Sequence, residues 1–213
     1  MICFYIVRHG ETLLNKLDRA QGWSDSPLTY NGEKTAIELG AKLNGTFFNA
    51  AYTSDTLRAK ETAKLILTKS GNSNIEIRED IRLREWCLGS MDAEQNTIFI
   101  HAVSEWLGGV SSFVELNERL PDVAMTIYKH DTTGMAEPFI DITNRLKSVF
   151  IEIVQKDCLH EKGNILVVTH AFAIKTLFYL FAREQLRSMD KIKNTSISKL
   201  IYNDGVFSFQ EIA

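Results

Sequence analysis

Two side chains able to carry positive charge, Arg8 and His9, end an uninterrupted apolar run, Ile2-Cys3-Phe4-Tyr5-Ile6-Val7, and are followed by Gly10-Glu11-Thr12. Such a run suits a strand buried on both faces, as in a parallel sheet, and α/β proteins gather ligands at the carboxyl ends of these strands. Arg8 and His9 are therefore candidate site residues with cationic chemistry. A guanidinium stays charged at any working pH, and its planar fork can hold two oxygens at once. A second run, Asn164-Ile165-Leu166-Val167-Val168-Thr169, repeats the arrangement far along the chain and ends in His170-Ala171. Two strands that each deliver a histidine to the same end of a sheet define a candidate site.

The elements that must position these residues alternate along the chain. Thr29 reads as the cap of a helix reaching to about Leu43, with Ala36, Leu39, Gly40 and Leu43 spaced for one inward face. Ala50-Ala51-Tyr52-Thr53 reads as a short strand, and Ser54-Asp55 as the cap of a helix carrying Leu57-Arg58-Ala59 on toward Leu67. Ile75-Glu76-Ile77-Arg78 alternates like a partly exposed strand. The pattern is less regular over roughly 90–135, which reads as an insertion outside the sheet, a helical or irregular cap. A helix over about 138–156, the strand ending at His170 and a helix from Ala171 through Phe181 follow. Two final strands flank Asn203-Asp204-Gly205, a hairpin signal. Helices separating strands predict a three-layer α/β fold: a mostly parallel central sheet, made mixed by the terminal hairpin, with helices on both faces. A single domain over 1–213 accommodates all of it.

Composition narrows the function classes. The 24 basic and 27 acidic residues give a net charge of −3 with no long single-sign run, which argues against a general nucleic-acid surface while leaving room for a small basic pocket. Cys3, Cys87 and Cys158 form no CxxC or Cys/His metal spacing and fit a reduced intracellular compartment. No stretch reaches the roughly 18 apolar residues that would span a membrane. A soluble, cytoplasmic protein is expected. His101, His130 and His160 belong to no motif and read as solvated or structural.

Further segments extend the pattern. Arg8-His9-Gly10-Glu11-Thr12 with Asn15, Gly22-Trp23, Ser26-Pro27-Leu28-Thr29 with Gly32, Ser54-Asp55-Thr56-Leu57-Arg58-Ala59 with Glu61-Thr62-Ala63, Leu83-Arg84-Glu85-Trp86 with Gly89, and Val168-Thr169-His170 together resemble the histidine phosphatase superfamily, which includes the cofactor-dependent phosphoglycerate mutases. The matches keep the family's order and leave only the inserted stretch uncovered.

The resemblance implies a reaction. A phosphate monoester is a dianion, and the family places Arg8, Arg58 and His170 around its oxygens, so that these cations do what a metal does elsewhere. It makes His9 the nucleophile, attacking phosphorus to form a phosphohistidine, with its other ring nitrogen held as N–H by the Gly10 carbonyl. It makes Glu85 the group that protonates the leaving oxygen and then deprotonates water. Asn15, Gln21, Gly22 and Ala171 are implied ligand-side residues, and Asn194 a support contact. Neither a metal nor a cofactor is expected. Taken by itself, Glu85 also fits a structural ion pair with Arg82 or Arg84, and Asn15 a helix cap.

Departures from the family bear on the substrate. Glutamate is followed by Trp86-Cys87-Leu88-Gly89 rather than the mutases' Arg-His-Tyr-Gly, and no Arg-Arg pair occurs. Arg119 is the only cation of the region from Ser90 to Leu120, against Asp92, Glu94, Glu105, Glu115 and Glu118. Ala171 stands where the family usually has glycine. The expected activity is hydrolysis of a small phosphorylated metabolite; a phosphoglycerate mutase, or a catalytically weak phospho-ligand-binding or regulatory protein, are the alternatives. Natural substrate and oligomeric state are not readable from these residues.

Overall fold

The computed structural model describes residues 1–109, 112–157 and 163–210; Cys158 and His160 fall outside them. Six strands form one mixed sheet in the order β3-β2-β4-β1-β5-β6, with β1 at Ile2–Arg8, β2 at Ala50–Thr53, β3 at Ile77–Glu79, β4 at Gly163–Thr169, β5 at Ile197–Asn203 and β6 at Val206–Phe209. The first four run parallel and the terminal hairpin antiparallel.

Side-chain alternation splits the core into two layers. In β1 Phe4 and Ile6 face one way and Val7 the other; in β4 Ile165 and Val167 oppose Leu166 and Val168. The second layer is closed by α2 (Tyr30–Lys42) and α3 (Leu57–Lys69) through Ala36, Leu39, Ala59, Ala63 and Ile66. The first is closed by α7 (Phe139–Asp157) and α8 (Ala171–Phe181), together with α6 (Leu120–His130) and α4 (Asn96–Trp106). Short helices α1 (Leu13–Lys16), α5 (Phe113–Glu118) and α9 (Arg183–Arg187) complete the set. The inserted stretch holds α4, α5 and α6 and contributes no strand among the described residues.

Thr29 caps α2 as its spacing indicated, accepting from the Gly32 N–H. The cap expected for α3 is different. Ser54 and Asp55 do not cap it; the cap position is Thr56 without a side-chain bond, and the carboxylate of distant Asp25 accepts from the Leu57 N–H at 2.6 Å. The orphan N–H groups of a helix start need an acceptor, and here the fold supplies one from another loop. Among the described residues no helix is long and apolar enough to cross a membrane.

Candidate active site

Register brings the two histidines together. Arg8 of β1 pairs with Thr169 of β4, so His9 and His170 leave neighbouring parallel strands at the same level, with the His9 N–H bonded to the Thr169 carbonyl at 3.0 Å. Their ring centroids lie 5.1 Å apart. Arg58, one residue into α3, reaches the same point, its Nη2 donating to His170 Nδ1 at 3.1 Å. All five principal candidates, Arg8, His9, Arg58, Glu85 and His170, are buried.

Hydrogen bonds set the tautomers. His9 Nδ1 lies 2.8 Å from the Gly10 carbonyl, which can only accept, so Nδ1 carries the hydrogen and Nε2 keeps its lone pair. Burial, and after it the charges of Arg58 and Arg8, push the His9 pKa well below its ordinary value. The free ring is therefore an unprotonated nitrogen base. His170 accepts at Nδ1 from Arg58 and so presents Nε2–H to Ser54 Oγ at 2.8 Å; burial, Arg58 and His9 hold its pKa down as well. Ser54, expected as a cap, instead orients this ring.

The two arginines hold their positions with part of their donor sets. Arg58 Nη1 donates to the Ser24 carbonyl and to Asp25, and Nη2 to the Gly22 carbonyl. Arg8 Nη1 donates to the Ile192 carbonyl at 2.6 Å. The Nε groups of both are buried and have no acceptor among the described residues. Desolvation lowers the Arg8 pKa to about 10 and that of Arg58 in the same direction, with mutual repulsion adding to the Arg8 shift. A buried N–H without a partner is costly, and the two guanidinium groups concentrate positive charge around His9 at the strand ends.

Glu85 is not an ion-pair partner of its neighbours. Arg84 forms a fork with Asp55, and Arg82 pairs with Asp80 and Glu152. The Glu85 carboxylate sits at the start of α8, accepting from the Phe172 and Ala173 N–H groups at 2.9 Å each and from its own Trp86 N–H at 3.0 Å. Those donors favour the carboxylate, but burial outweighs them and the pKa is raised. A raised pKa moves a carboxyl group toward the range in which it can both give and take a proton.

The ligand-side candidates lie around this cluster. Asn15 is the third residue of a capping box with Thr12, and its Oδ1 also accepts from Asn194 Nδ2, which donates in turn to the His9 carbonyl. These bonds show the helix-cap reading of Asn15. Gln21 Oε1 accepts from Thr12 at 2.7 Å. Ala171 is half-buried at the first turn of α8. Gly10 is required by packing: a Cβ there would lie 2.8 Å from the Gly32 carbonyl oxygen at the start of α2. At Gly22 a Cβ would come 2.6 Å from the Trp86 carbonyl oxygen.

Sequence reasoning counted Asp92 only as an unwelcome negative charge. In the fold its carboxylate accepts from the Gly22, Trp23 and Ser24 N–H groups and the Ser24 hydroxyl, at 2.6–3.1 Å. It thereby fixes the loop whose carbonyls hold Arg58. No local signal marks a bond between segments so far apart in sequence. The other described histidines stay out of the site: His130 stacks on Trp106, and His101 is exposed beside Glu105. Among the described residues no cluster of three or more His, Cys, Asp or Glu could hold a metal.

Comparison with known proteins gives a consistent set. A family model described as "Histidine phosphatase superfamily (branch 1)" matches residues 4–213. A Salmonella arizonae protein named "Probable phosphoglycerate mutase GpmB" is 28% identical over 208 residues, covering 96% of this chain and 86% of that one. Among solved structures, a phosphoglycerate mutase from Bacillus anthracis shares 33% identity at a TM-score of 0.92, covering 99% of this chain and 92% of the other. Bacillus stearothermophilus YhfR shares 29% at a TM-score of 0.73, covering 98% and 95%.

Proposed function

This chain belongs to the histidine phosphatase superfamily, and from that premise we propose that it is a metal-independent phosphomonoesterase acting on a small phosphorylated metabolite through a phosphohistidine at His9. The observation that carries the proposal is the imidazole of His9, its Nε2 unprotonated, set among the charges of two buried guanidinium groups, Arg8 and Arg58, which we read as the phosphate cradle. The cradle would bind the phosphoryl oxygens. His9 Nε2 attacks phosphorus while the ester P–O bond breaks, and Glu85 delivers its proton to the departing oxygen. Water then attacks the phosphohistidine, Glu85 takes the water's proton, and phosphate leaves with His9 restored.

The charge is neutralised by arginine rather than by a metal. Activity is therefore expected to survive excess chelator at the full rate. Loss of activity in chelator that an added divalent ion restores would overturn this part of the proposal. The three cysteines without a metal or CxxC spacing, Cys3 and Cys87 being free thiols in the fold, support a reducing cytoplasmic location.

A phosphoglycerate mutase is the second reading, favoured by the names of the Salmonella arizonae and Bacillus anthracis relatives. A mutase must shield its phosphohistidine from water and hold both ends of a reorienting intermediate. Arg119, the cation of the segment after Glu85, is occupied by Glu115, Asp122 and the Leu107 carbonyl, which leaves the second anionic end without a dedicated clamp there. Hydrolysis is thus expected to outrun transfer. The test is a parallel assay of phosphate release from several monoesters and of interconversion of the two monophosphoglycerates with bisphosphoglycerate present; faster interconversion on every preparation would reverse the ranking. A protein that binds but does not turn over would show neither rate, and the complete set of Arg8, His9, Arg58, Glu85 and His170 weighs against it.

A further inference from the structure

We infer that Arg145, braced by Glu137, is the positioning residue that aims the Glu85 carboxyl group, acting through the backbone of residues 82–87. The inference rests on the phosphatase reading above and adds a residue to it. After the short 3-10 turn Ile81–Leu83, the chain enters a stretch with no ladder or helix to satisfy its backbone. Buried carbonyls must nonetheless find donors. Arg145 of α7 supplies them: Nη1 donates to the Arg82 carbonyl at 2.8 Å and the Arg84 carbonyl at 2.7 Å, and Nη2 to the Glu85 carbonyl at 2.9 Å.

Its remaining donors go to Glu137, from Nε to Oε1 at 2.7 Å and from Nη2 to Oε2 at 2.9 Å. Glu137 Oε2 also accepts from the Cys87 N–H at 3.0 Å. The pair therefore grips both sides of Glu85. Thr169 Oγ1 takes the intervening Leu83 carbonyl, and Trp23 Nε1 adds a second bond to the Glu85 carbonyl. All five guanidinium N–H groups of Arg145 are used, and both side chains of the ion pair are only 14% exposed. A planar fork can meet three carbonyls and a carboxylate in one plane; a lysine ammonium, a point donor, cannot. Proton transfer depends on heavy-atom reach within hydrogen-bond distance, so slack in this segment takes the carboxyl group off its line, while Arg145 itself makes no bond to Arg8, His9 or Arg58.

The experiment compares wild type, Arg145→Lys, Glu137→Gln and Glu85→Gln on an alkyl phosphate, whose leaving group needs a proton, and on 2,4-dinitrophenyl phosphate, whose leaving group does not. Arg145→Lys is expected to lose about 100-fold in kcat/KM, which reports the phosphorylation of His9 and not the later attack of water, on the alkyl ester and far less on the activated one, following the pattern of Glu85→Gln, with Glu137→Gln between it and wild type. Binding of inorganic phosphate stays within about twofold, because Arg145 bonds neither Arg8 nor Arg58 and lysine keeps its charge. Equal losses on both esters, or a loss that appears as weakened phosphate binding, overturn the inference. Amide hydrogen exchange at Trp86 and Cys87 provides a readout independent of turnover: it accelerates in Arg145→Lys while the middle of α7 stays protected, and unchanged exchange also overturns the inference. Wild type inactive on every ester, with exchange responding as stated, would reject the phosphatase reading and leave the clamp standing.

Discussion

Replacing His9 by alanine is expected to lower kcat by about four to six orders of magnitude, the scale seen when a covalent nucleophile is removed. The ring sits at the end of β1 with Nδ1 bonded to the Gly10 carbonyl, so Nε2 is the only nitrogen left to attack. Burial and the charges of Arg58 and Arg8 keep that nitrogen unprotonated to a pH well below the ordinary histidine range. Rapid-quench trapping of wild type with a radiolabelled monoester should give acid-labile, base-stable phosphate on the protein, and His9→Ala should give none. The sheet does not depend on this ring for its register, because β1 and β4 pair through residues 2–8 and 163–169; circular dichroism of the variant should match wild type. Turnover within about tenfold of wild type in His9→Ala would sink the covalent mechanism.

Arg58→Met carries the second large effect, an expected fall in kcat/KM of about 1,000-fold, the scale of losing a charged group that stabilises a transferring phosphoryl group. Arg58 is fully buried and joins three parts of the site: the carbonyls of Gly22 and Ser24, the carboxylate of Asp25 and the imidazole of His170. Lysine should not restore the rate, since a single ammonium cannot serve the loop, His170 and the substrate together. Two further readouts separate loss of charge from loss of structure. Vanadate, a phosphoryl mimic, should inhibit far more weakly. The His170 pKa should rise toward its ordinary value, because Arg58 is the largest charge now holding it down after burial itself; NMR titration of the ring measures it. An unchanged vanadate affinity would remove Arg58 from the cradle.

Much of this was legible in the sequence because it is encoded locally. The apolar runs that end in Arg8-His9 and in His170, the Thr29 cap and the Asn-Asp-Gly hairpin are set by residues next to one another, and hydrophobic periodicity and turn chemistry act over a few residues. The family motifs belong to the same class, since each is contiguous. The strand order is another matter: β4 lies between β2 and β1, and only that arrangement sets Thr169 beside Arg8 so that the two histidines meet.

The tertiary structure also decided how the site is held. Asp25 rather than Ser54-Asp55 caps α3, Asp92 holds the loop whose carbonyls take Arg58, the N-terminus of α8 receives Glu85, and Arg145 secures the segment around it. In sequence Asp92 counted only as negative charge, and nothing in the helical stretch over about 138–156 marked Arg145. Each acts on a backbone group dozens of positions away, in a stretch without regular structure. A hydrogen bond of that kind depends on where the folded chain leaves an unpaired N–H or C=O, and neither periodicity nor propensity carries that information.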